Sequence, residues 1–163
     1  RNKKRSDCSF YEVVKDNSSR LVKIKSNILP YDKLFGEVYE ISKINIKEKG
    51  LDDCQRYHSA NSMRRIFEEY MKFKIKSDFS PTAKNNGKIT DFYEKVTGKK
   101  MGINYKSRLA SFLSFINIMS HRTERTDEEV IKNAKFLMDF IEKTDKYHYS
   151  QTLNVAGVNS RKD

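Results

Sequence analysis

NSMRRIFEEYMKF, residues 61–73, spaces Met63, Ile66, Phe67, Tyr70, Met71 and Phe73 mostly at three- and four-residue intervals. That period gathers them on one side of an α-helix, whereas a strand would send alternate residues to opposite faces. On a wheel of about 100° per residue, Arg64 falls beside Met71 at the edge of the apolar stripe, with Glu68 next to it and then Asn61. Arg65, Glu69 and His58 point away from the stripe. The stretch therefore predicts a helix over 55–75 with one buried face and a polar pair, Arg64 and Glu68, on its border.

The same period recurs on both sides. Upstream, Leu34, Phe35, Val38, Ile41 and Ile44 follow Pro30, a residue suited to a helix start, and Gly50 closes the element. Downstream, Pro81 and Gly87 break the chain into a loop, and a short helix over 88–97 ends at Gly98. Residues 106–120 form the most apolar helix, with Leu109, Phe112, Leu113, Phe115, Ile116 and Met119 on a broad arc. Asn117 and His121 share a narrow polar strip on it with Ser114 and Ala110. Thr126 and Glu129 make a capping box ahead of Val130, Ile131, Ala134, Leu137, Phe140 and Ile141, which predicts an amphipathic helix to about 144.

Only residues 9–25 alternate instead, as two strands joined by Asp16, Asn17 and Ser18. A lone hairpin is marginally stable in water, so this one is expected to extend a sheet lying mostly outside the chain or to pack on helices. The expected organisation is a basic arm at 1–8, a β-hairpin at 9–27, a helical domain at 28–147 and a flexible tail at 148–163. The fold class is mainly α, a helical bundle preceded by a short hairpin.

Composition narrows the partners. The 163 residues carry a net charge of +11, with 37% hydrophobic and 12% aromatic content, enough for one core. Such a charge favours polyanions, nucleic acid ahead of acidic membrane or acidic protein. Lys72, Lys74, Lys76, Lys99, Lys100, Lys106 and Arg108 lie near the two polar strips and are the expected phosphate contacts. No glycine-rich phosphate loop is present, so ATP hydrolysis by this sequence alone is not expected. Cys8 and Cys54 are isolated, which argues for a reducing cytoplasm and against a zinc site. No run approaches the roughly 18 apolar residues of a membrane span. The opening RNKKR, without an initiator Met, reads as a segment of a larger protein.

An arginine, a carboxylate, an amide and a histidine on two adjacent helices suit metal-free RNA cleavage by the 2′-hydroxyl. That reaction needs a base, an acid for the leaving 5′-oxygen and a cation at the phosphorane. His121 suits proton transfer near neutrality, Arg64 offers a donor fork to phosphate, Glu68 can orient the arginine, and Asn117 can hold the histidine or a phosphate oxygen. The plainer alternative is an ordinary i,i+4 ion pair and a histidine that ends a helix. His58 and His148 have no comparable partners in the sequence and are assigned no role.

Asn61-x-x-Arg64-x-x-x-Glu68, followed by the later Asn117-x-x-Ser120-His121, resembles the C-terminal part of bacterial defence ATPases. These are the PrrC and RloC anticodon nucleases and the related Septu-type PtuA ATPases. The upstream FYEVVKDNSSRLVKI and LPYDKLFGEVYEI are also similar, so the resemblance spans roughly 9–145. It implies a HEPN-like helical domain in which Arg64, Glu68 and His121 form an RNA-cleaving triad, with supporting places for Asn61, Asn117 and Ser120. It implies no cofactor or metal in this chain, with ATP and Mg belonging to the rest of an ABC-like ATPase whose sheet the hairpin extends. Implied partners are RNA, most readily tRNA, a further copy of the chain, and, in the Septu-like case, an HNH-type nuclease that does the cutting. In that case the module is one of assembly. A DNA-contacting domain acting through its basic face is a third expectation.

Overall fold

Thr126 starts the helix on which the others assemble. Its hydroxyl accepts the Glu129 amide at 3.2 Å, and the Glu129 carboxylate accepts the Thr126 amide at 3.4 Å, so the capping box is closed in both directions. The computed structural model describes residues 10–15, 19–24, 30–75, 79–118 and 125–158. The helices are α1 (Pro30–Lys43), α2 (Asp53–Ile75), α3 (Asn86–Thr97), α4 (Ile103–Ile118), α5 (Asp127–Thr144) and α6 (Lys146–Val155), with a short 3-10 turn at Ala83–Asn85. Ahead of them, β1 (Phe10–Lys15) and β2 (Ser19–Ile24) pair antiparallel, Phe10 opposite Ile24 and Lys15 opposite Ser19. The expected basic arm and the turn at 16–18 lie outside the described residues.

The molecule is a mainly helical bundle. α5 contacts every other α-helix, and its sequence explains why. Val130, Ala134, Leu137 and Ile141 bury one stripe, while Phe136 and Phe140 bury an adjacent one. A helix apolar over so wide an arc belongs inside a bundle. Phe67 of α2 meets Phe140 at a ring separation of 5.6 Å, Phe112 of α4 at 5.3 Å, and Phe79 of the following loop at 5.9 Å. Four segments thus share one aromatic centre. Arg125, buried just before α5, donates to the carbonyls of Arg56 and Tyr57 and ties the two helix starts together.

Gly98 caps α3 as expected, in the left-handed region at φ 67°, its amide bonded to the Glu94 carbonyl at 3.0 Å. Two expectations need correction. Phe73, read as part of the buried stripe of α2, is 73% exposed. Toward its end the helix turns Lys74 and Ile75 to the bundle, both half-buried, which leaves Phe73 on the solvent edge of the stripe. The flexible tail expected over 148–163 is helical in its first half, because α6 occupies 146–155. Asp145 caps this helix by accepting the His148 amide at 2.9 Å, and Thr152 and Leu153 bury its inner face. The short run lacked the repeated period that exposes longer helices.

Candidate functional site

α2 sets Arg64 and Glu68 where the wheel placed them. Their side chains are 32% and 22% exposed, and Arg64 Nε donates to Glu68 Oε1 at 3.2 Å. The bond uses only Nε. Among the described residues the two terminal nitrogens of Arg64, the donor fork that matches a phosphate, make no hydrogen bond. The neighbouring Arg65 and Glu69 are about half exposed and stand 3.8 Å apart, a solvated ion pair. Asn61, one turn before Arg64, is exposed.

Near the end of α4, Asn117 is half-buried and its amide is occupied. Nδ2 donates to the carbonyl of Pro81 and, at 2.8 Å, to that of Leu113. The first contact moors the loop holding Phe79 and Pro81, the loop whose Phe79 ring packs on Phe67, against the end of α4. Ser120 and His121 lie outside the described residues. The structure therefore joins Arg64 to Glu68 and gives Asn117 a structural contact, while the third member of the expected triad is not described.

The expected phosphate-binding set divides. Lys72 and Lys99 are exposed. Lys74 pairs with Asp145 and lies over the rings of Phe73 and Tyr70. Lys100 and Lys106 both reach Glu94, at 3.1 and 3.9 Å. The Met101 amide, foremost, and Lys100 hold the Glu94 carboxyl below its ordinary value. Lys76 lies outside the described residues. Arg108 faces elsewhere, over the Phe136 ring at 5.5 Å. It lines a cleft of about 500 Å³ with Lys43 from the end of α1 and Lys132 and Lys135 from α5. Those three lysines were not singled out in the sequence, because they come from distant segments with no shared motif.

His148 was also missed. Its Nε2 lies 3.0 Å from the Tyr31 hydroxyl, and its ring packs among Tyr31, Phe35 and Tyr70. The Tyr70 hydroxyl shares a 2.7 Å hydrogen bond with Thr144. Burial pushes both tyrosine hydroxyls up and the imidazole down from their ordinary values. The one sequence signal was Asp145 three residues ahead, a helix-cap spacing. The Tyr31–His148 bond joins α1 to α6, the Tyr70–Thr144 bond joins α2 to α5, and ring contacts link the two, which is a packing role.

Among the described residues, no group of three or more His, Cys, Asp and Glu side chains is placed to hold a metal ion, and no helix is long and apolar enough to cross a membrane. A family model described as AAA domain matches residues 1–141. Two curated Staphylococcus aureus proteins, one of strain MRSA252, bear the name "Uncharacterized chromosomal cassette SCCmec type IVc protein CR006". Each is 46% identical to this chain over 148 residues, covering 90% of this chain and 21% of its own length. The chain thus spans about a fifth of the curated relatives it matches. No solved structure matches it.

Proposed function

This chain belongs to the AAA domain family, and from that premise we propose that it is a helical module of a larger ATPase that engages nucleic acid. The observation that carries this reading is the family match over 1–141 in a sequence of net charge +11 that holds no phosphate-binding loop. ATP and Mg would then be handled by other parts of the ATPase, and the β1–β2 pair would add to the sheet of its head. The purified chain should bind a single-stranded oligonucleotide with a steep salt dependence and should not turn over ATP with Mg²⁺. ATP turnover by this chain, or oligonucleotide binding indifferent to salt, would sink the reading.

A second reading has its own observation. Glu68 holds Arg64 by Nε, and among the described residues the terminal nitrogens, a fork suited to phosphate, make no hydrogen bond. With His121 as the proton-transfer group, this supports metal-independent cleavage of RNA, tRNA first, in an anti-phage setting like that of the anticodon nucleases the motif resembles. The wild-type chain should then cleave tRNA in the presence of EDTA. Arg64→Ala and His121→Ala should each lower the rate by about a hundredfold or more, with helical circular dichroism unchanged. Cleavage that survives in both variants removes the triad. Absence of cleavage, with copurification of an HNH-type nuclease, assigns Arg64, Glu68 and Asn117 to assembly instead.

A further inference from the structure

The geometry points to the cleft between the end of α1 and the flanks of α4 and α5 as the place where a single strand of nucleic acid lays its phosphates. This deepens, and rests on, the reading of the chain as a nucleic-acid-engaging module. Four cations converge there from three elements: Lys43, Arg108, Lys132 and Lys135, against one carboxylate, Glu128. Among the described residues none of the four makes an ion pair. By contrast, Lys74, Lys100 and Lys106 are matched by Asp145 or Glu94. Those three charges are locally neutralised, while the four facing this cleft are not. A concave surface with an excess of one sign of charge concentrates its field on an incoming polyanion.

Two of the cations are also held in place. The Arg108 guanidinium sits 5.5 Å from the Phe136 ring centre, and Lys43 Nζ sits 5.0 Å from that of Tyr39. Ring faces engage the flat side of a guanidinium and leave its N–H edge to donate to phosphate oxygens. Lys132 and Lys135 stand one turn apart on α5, the helix fixed by contacts with every other. Ile44, Ile46 and Ile131 give the cleft an aliphatic floor, with Ile46 41% exposed. That floor can take the face of a sugar or base without reading base edges. A cleft of about 500 Å³ admits the units of a flexible strand. Binding there should be blind to sequence.

The test is fluorescence anisotropy of a labelled oligouridylate with the full chain, over a salt series at neutral pH. Lys132→Gln with Lys135→Gln should weaken binding about tenfold and flatten the salt slope by about 1.4, from two phosphate contacts at about 0.7 each. Lys88→Gln with Lys95→Gln removes the same charge on α3 and should leave affinity within about twofold. All four positions are exposed, so the fold should be retained, as circular dichroism would verify. Equal losses from the two pairs would reduce the effect to bulk charge and overturn the cleft. Wild-type binding by the Lys132/Lys135 variant would also overturn it, while the nucleic-acid reading would stand. No oligonucleotide binding by the wild-type chain, including the case in which it binds only phosphatidylserine vesicles, would overturn both.

Discussion

His148 shows how far a single residue's meaning depends on its surroundings. In the sequence it is, with His58, one of two histidines without a comparable partner; in the fold it is half-buried among aromatic rings and bonded to Tyr31. Burial is the main cause of its lowered proton affinity; Asp145 acts in the opposite direction and Lys74 reinforces it. A histidine depressed in the native state contributes stability above its unfolded value of about 6.5 and loses it as pH falls through the lower native value. The urea midpoint should therefore drop between about pH 7 and about pH 5 more steeply for the wild-type chain than for His148→Phe. Parallel slopes would mean that the imidazole titrates alike in both states. Arg64 and Glu68, by contrast, were legible from the wheel, since an edge position depends only on the helical period and the stripe beside it.

At the scale of elements, α6 is the instructive case. Its ten residues carry too few apolar positions to announce a period, yet it is part of the bundle. Gly36 of α1 makes room for the close approach: a Cβ there would meet the Ala156 Cβ at 3.0 Å and the Val158 Cγ2 at 3.4 Å. Replacing Gly36 by Leu should wedge the chain after α6 away from α1. Amide exchange across 146–155 should then rise while α5 stays protected. Unchanged exchange would show that the contact yields without cost. The long helices were readable because burial is repeated over several turns, and their ends were readable where a cap is written locally, at Thr126 and Gly98.

For the whole molecule, the aromatic centre around Phe67 decides stability more than any surface charge. Phe67→Ala should cost about 3–5 kcal/mol, because it opens a void shared by α2, α4, α5 and the Phe79 loop. Phe73→Ala, six residues away on the same helix, should change stability by no more than about 0.5 kcal/mol. Chemical denaturation of the two variants side by side checks the contrast, and similar losses would contradict the burial of Phe67 and the exposure of Phe73. The sequence by itself determined the helical period, the apolar faces, the local caps and the Arg64–Glu68 pair, because each arises from residues within a few turns of one another. Only the tertiary structure decided that Asn117 moors a loop, that Lys74, Lys100 and Lys106 are matched by carboxylates, and that Lys43, Arg108, Lys132 and Lys135 face one cleft. Those relations join segments far apart in the chain, and no local period encodes which distant side chains the packing of helices will bring together.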